Sequence, residues 1–159
     1  MSTIPNAYSS ATKTALTAAA ACGPIGAFSS VADIGTIAGI WGTYLCNIAY
    51  REHVAMDKTT AVQICKSALL GMAGYYAGCK TASRAFELIP GAGTVIGIGL
   101  SALTNVLFTY RFALTVCAIF SEQGTSLKLG ELAGNIRSLF RGNGLMRDTK
   151  DILSIWMHG

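Results

Sequence analysis

Gly91-Ala92-Gly93-Thr94-Val95-Ile96-Gly97 is the run in this chain with the glycine density of a phosphate-binding loop. Such a loop works by leaving backbone amides open to a phosphate, and it needs a strand before it and a Lys-Ser/Thr pair at its end. No strand pattern precedes Gly91 and no such pair follows Gly97, so the run reads as a helix-packing motif instead. His53 and His158 stand in neither a His-x-x-x-His nor a Cys-rich pattern, and no metal centre is expected of them. The cysteines, Cys22, Cys46, Cys65, Cys79 and Cys117, are odd in number, scattered among apolar residues and without Cys-x-x-Cys spacing. That pattern predicts reduced thiols in the core or against lipid rather than a disulfide framework or a redox pair. No Gly-x-Ser-x-Gly elbow sets a serine beside a base. The expectation is a non-enzymatic protein with no catalytic residues, no cofactor and no metal.

What the chain has instead of chemistry is apolar surface. Hydrophobic residues make up 52 % and charged residues 13 % of its 159 positions, whereas a soluble domain carries roughly 25 % charged residues. The mean hydropathy is +0.47. With so few charges a soluble monomer has difficulty covering itself, which predicts membrane lipid or burial in a homo-oligomer. The net charge of +4 suits an anionic membrane surface and is too small to argue for nucleic acid. The opening residues MSTIPNAYSS lack a basic region followed by an apolar run, so a membrane-associated protein on the cytoplasmic side is expected.

The elements that carry this surface are helical throughout. Leu88 to Tyr110 holds no ionisable group before its closing tyrosine. Pro90 lacks an amide proton and restricts Ile89, so a helix arriving there stops and a second one starts. From that corner Gly93, Gly97, Ser101, Asn105 and Thr109 recur every four residues and fall along one side of a helix reaching Phe120. They form a helix-contact groove of small and polar residues, read as a face for a second copy or a partner, since Gly-xxx-Gly steps let backbones approach closely. Arg111 would snorkel from the end of a membrane span or pair with an acid such as Glu87 in a soluble bundle.

Upstream, alanine content predicts a helix from Asn6 to Cys22, ended by Gly23-Pro24. Ser30-Val31-Ala32-Asp33 has capping-box spacing and opens a second helix to about Arg51-Glu52, with Gly35-xxx-Gly39 and Ala38-to-Gly42 steps and Trp41 as a packing residue. A third, capped by Asp57 or Thr59, is expected to run to Leu88 and form a hairpin with the fourth. Downstream, Leu129, Leu132, Ile136, Leu139 and Phe140 repeat at helical spacing. Lys128, Arg137 and Arg141 occupy the other faces as lipid-surface contacts. This amphipathic helix either docks across the bundle or lies on anionic lipid. A short last helix, Asp148 to Trp156, begins with Asp148 and Asp151 in its first turn. The expected architecture is one all-α domain over 1–159, a hydrophobic helical bundle of about six helices with a long central hairpin. Its apolar core spans about 30–121, and its basic amphipathic helices about 126–157.

Leu88-Ile89-Pro90-Gly91-Ala92-Gly93-Thr94-Val95-Ile96-Gly97, followed by Ala102, Asn105 and Thr109-Tyr110, resembles the signature of the YcjF-like helical domain. That bacterial module is linked to membranes and often accompanies small GTPases. The resemblance implies an all-helical, membrane-linked accessory with a GTPase as partner. Two other roles fit the residues: a pore-forming or membrane-disrupting effector whose apolar hairpin is released from a helical shell, and a soluble helical subunit of a larger assembly.

Overall fold

The computed structural model describes residues 4–23, 30–72, 93–123, 132–134, 136, 148, 151, 152, 154, 155 and 157. The fold is all-α, with about five helices rather than about six. Four have defined bounds: α1 (Asn6–Ala21), α2 (Ser30–Arg51), α3 (Lys58–Gly71) and α4 (Gly93–Gln123). The described residues beyond 131 are helical as well.

Local chemistry sets the helix ends. At the end of α2 the amide of Val54 donates to the Ala49 carbonyl at 2.8 Å and that of His53 to Tyr50 at 3.3 Å. These are the two bonds of a Schellman stop, and they place His53 at the position that favours glycine, with φ of 58°. Four residues later Asp57 caps α3, its carboxylate accepting from the Thr60 amide at 2.9 Å and from the Thr60 hydroxyl. Of the two caps expected, the aspartate is the one used. α3 then stops at Gly71, short of Leu88, with the Met72 amide turned back onto Leu69 and Leu70. Apolar content alone did not reveal a stop there.

Among the described residues α3 packs on α2 as a hairpin, while α4 packs on α1 and α2. The expected hairpin of the third helix with the fourth turns on residues 73–92, which lie outside those described. The connection between α2 and α3 is short, and Gly42 lets them close: a Cβ there would stand 3.0 Å from both Cα and N of Val62. The Pro90 corner, the capping box at Ser30, Gly74, Gly78, Cys79 and Glu87 lie outside the described residues or side chains.

Trp41, fully buried, stacks on Phe112 with centroids 4.3 Å apart and planes 7° from parallel. Tyr44 meets the same ring edge-on at 6.1 Å. Around this trio gather Leu45 and Ile48 of α2, Cys65 and Leu69 of α3 and Val116 and Phe120 of α4. Leu132 and Ile136 belong to the same core, so the amphipathic C-terminal segment docks on the bundle at these positions. A second cluster joins Leu16 of α1 to Val106, Leu107 and Tyr110 of α4 and to Ile152.

Candidate functional site

Polar groups inside this core come from residues that face inward because their helices are apolar nearly all round. The Trp41 indole donates to the Thr109 hydroxyl at 2.9 Å. Tyr44 shares a hydrogen bond with the Thr12 hydroxyl at 3.1 Å and contacts the Cys117 sulfur at 3.5 Å. Thr12 in turn donates to the Tyr8 carbonyl at 2.9 Å, and the Tyr8 hydroxyl donates to Glu52. The chain of contacts ties α1, α2 and α4 together, satisfying groups whose burial would otherwise be costly.

Burial, with smaller contributions from Glu52, pushes the Tyr8 phenol up to about 12. Burial likewise raises Tyr44, Cys65 and Cys117 above their ordinary values, and Cys46 to a lesser depth of burial shifts the same way. At neutral pH these groups are protonated, which favours packing and hydrogen bonding over nucleophilic attack. Among the described residues no three His, Cys, Asp or Glu side chains converge as a metal site. Among the described residues Cys22, Cys46, Cys65 and Cys117 form no disulfide with one another, and three of them are buried.

The face expected to receive another helix is turned inward. Ser101, Asn105 and Thr109 are buried polar residues and Gly97 is buried with them. On the neighbouring side of α4, Gly23 sits so close to Ala102 that a Cβ on it would fall 2.7 Å from the alanine's own. The small-residue stripe from Gly97 to Thr109 thus packs within this chain, against Trp41 at its lower end, and is not open to a second copy. Its physical reason is the same spacing that suggested it: small side chains let any helix approach, and α1 and α2 are already there. Gly93 opens α4, with its surroundings outside what is described. Of the lipid-contact candidates, Lys128, Arg137 and Arg141 also lie outside the described residues.

Arg111 pairs with an acid, as a helical bundle requires, and the partner among the described residues is Asp148, while Glu87 lies outside them. The Arg111 Nε donates to Asp148 Oδ2 at 2.8 Å, with both side chains mostly buried. One turn along, the Tyr110 hydroxyl donates to Asp151 Oδ2 at 3.1 Å. Asp148 and Asp151 look like ordinary first-turn acids in the sequence, and nothing in their spacing points across 37 and 41 residues to α4. The one available signal is that Tyr110-Arg111 needs polar partners on a helix otherwise apolar.

Among the described residues two open surfaces stand out. The first half of α4 exposes Val95 by 74 % and Ile96 and Leu103 by 47 % each. Positions 96, 99 and 103 fall on one side of the helix, and a Cβ at Gly99 would meet nothing within 4 Å. The other is an open groove of about 970 Å³ between α1 and α2. By length and composition Val95–Glu122 is apolar enough to cross a membrane, yet 72 % of its most apolar window is buried inside the protein. No protein-family model, curated protein or solved structure matches the chain.

Proposed function

We propose that this chain is a non-enzymatic, membrane-associated helical protein that docks on lipid through the exposed first half of α4 and serves a partner there. The observation that carries this reading is the ridge of Val95, Ile96 and Leu103, left uncovered on a helix whose second half is sheathed by its own chain. Burying an apolar ridge in an interface layer is favourable at roughly 25 cal/mol per Å², and the net charge of +4 favours an anionic surface. In this arrangement α4 lies as the core of the bundle rather than as a span. The resemblance of the Pro90 corner to YcjF-like domains supports the cytoplasmic face and a GTPase as the partner served. Flotation with vesicles containing anionic lipid tests it: the wild type should float, and Val95→Ser/Ile96→Asn/Leu103→Asn should stay at the bottom while keeping its helical content. A wild type that stays in the aqueous fraction would favour the soluble-subunit reading.

A second reading is favoured by a different observation. α4 is long enough to span a bilayer and is held in its sheath partly by Arg111–Asp148 and Tyr110–Asp151. Release of those contacts would free an insertable helix, as a pore-forming effector requires. Dye release from anionic vesicles separates the two, because peripheral docking leaves the vesicles sealed.

A further inference from the structure

The groove between α1 and α2 has the size of a ligand site and a charge distribution of its own. On α1 it is lined by Ala11, Thr14, Ala15 and Ala18, and on α2 by Gly39, Ile40 and Thr43. Two of its threonine hydroxyls are engaged by their own helices: Thr14 donates to the Ser10 carbonyl at 3.0 Å and Thr43 to that of Gly39 at 3.0 Å. A hydroxyl satisfied by the preceding turn has its proton already used, so these walls offer a ligand fewer donors than their composition suggests. From Thr36 to Arg51 the α2 wall is roughly 22 Å long at ~1.5 Å per residue. Cations gather at one end only, where Arg51 and Lys58 line the groove beside Asn47 and the exposed Tyr50. The acids nearest in sequence are engaged elsewhere, Glu52 by the Tyr8 hydroxyl and Asp57 by Thr60. One guanidinium nitrogen of Arg51 donates to the Ala7 carbonyl at 2.6 Å, which anchors the group at the groove's end and leaves donors over.

We propose that this groove binds a free long-chain fatty acid, its tail along the small side chains of α1 and α2 and its carboxylate on Arg51 and Lys58. A neutral shaft with one anionic end matches a groove that is uncharged and mainly apolar along its length and cationic at one end. A volume of about 970 Å³ suits a single flexible chain, being at the upper end of the ~300–1,000 Å³ typical of small-molecule sites. A second copy of this chain fits less well, since it would bring the same two cations and no unengaged acid from this end. The site is separate from the α4 ridge, so it does not rest on the membrane reading.

Gly39 supplies the test, because it lines the groove and a Cβ there meets nothing within 4 Å, so a larger side chain has room to start into it. Calorimetric titration with oleate, kept below its aggregation concentration, should give saturable single-site binding to the wild type. Gly39→Leu should weaken it by about tenfold or more, with circular dichroism and melting temperature retained, because the side chain occupies the tail's volume. Arg51→Gln/Lys58→Gln should weaken oleate by about tenfold through loss of charge-assisted hydrogen bonds and leave oleyl alcohol unaffected. Absence of saturable binding, or oleate binding unchanged by Gly39→Leu, would overturn the proposal. Equal affinity for a zwitterionic lysophospholipid would overturn the carboxylate assignment. A ligand-free dimer dissolved by Gly39→Leu would give the groove to a second copy. Vesicle flotation of Gly39→Leu should equal that of the wild type, which keeps failure here distinct from failure of lipid docking by α4.

Discussion

His53 occupies a left-handed backbone position in a stop motif whose two hydrogen bonds come from the backbone alone. Its side chain is exposed, so the residue contributes strain without compensating burial. Glycine removes that strain and loses part of the gain to its freer unfolded state, so His53→Gly should stabilise the fold by about 0.5–1 kcal/mol. In a chain of this size that is a rise of roughly 2 °C in melting temperature. The buried hydroxyls and thiols make a second prediction at this scale. Tyr8, Tyr44, Cys65 and Cys117 all have folded-state values raised by burial. A raised value means that the folded protein holds its proton where the unfolded chain has released it. Their contribution is fully present below the unfolded values and declines as pH rises past them. The melting temperature should therefore fall from about pH 9 upward, where unfolded thiols begin to ionise, and more steeply above about pH 10 as tyrosines follow. Tyr8→Phe should flatten the part between pH 10 and the folded value of about 12. A melting temperature that holds steady to pH 11 would show that these groups titrate alike in both states.

Along α2, glycines that look alike in the sequence do opposite things. Gly42 touches α3, where an added Cβ would meet the Val62 backbone at 3.0 Å, while Gly35 faces open space. Gly42→Ala should force the α2–α3 hairpin apart and cost about 1–3 kcal/mol. Gly35→Ala should stabilise by about 0.5–1 kcal/mol through helix propensity. Urea titrations of the two variants should thus move the midpoint in opposite directions, and a shift of the same sign would mean that the hairpin closes differently. The contrast shows what could be read beforehand. Helix existence followed from apolar periodicity, alanine content and the Asp57 cap, and the central place of Trp41 from its position mid-helix. Which partner each small-residue step meets did not follow, because spacing reports a face and not its neighbour. Gly97, Ser101, Asn105 and Thr109 were found as a stripe and given to another molecule, yet they pack inside this one. The α1–α2 groove was invisible for the same reason, its two walls being unremarkable stretches of alanine and threonine until they are set side by side.

For the molecule as a whole, the balance between a closed bundle and an exposed apolar rod rests on how the C-terminal residues cover α4. Ile152 packs with Val106, Leu107 and Tyr110, Ile155 and Leu114 lie at the edge of that cluster, and Asp148 holds Arg111 across it. The ion pair is mostly buried, so breaking it leaves a guanidinium short of its carboxylate in a low-dielectric setting, a change worth more than the loss of a surface pair. Asp148→Lys replaces attraction with repulsion and should cost about 2–4 kcal/mol. Its consequence goes beyond stability: as the cover loosens, the outer side of α4 near Leu107 and Leu114 joins the ridge of Val95, Ile96 and Leu103 in one longer apolar strip. The variant should bind more of an apolar dye and float with vesicles more completely than the wild type, at a temperature where circular dichroism shows its helices intact. Asp148→Asn, which removes charge but keeps shape and a hydrogen-bond acceptor, should fall between. Should Asp148→Lys also release trapped dye where the wild type does not, α4 inserts once uncovered, and the effector reading gains over peripheral docking. If it floats more and leaks nothing, the strip lies flat on the bilayer and α4 remains the core of a bundle.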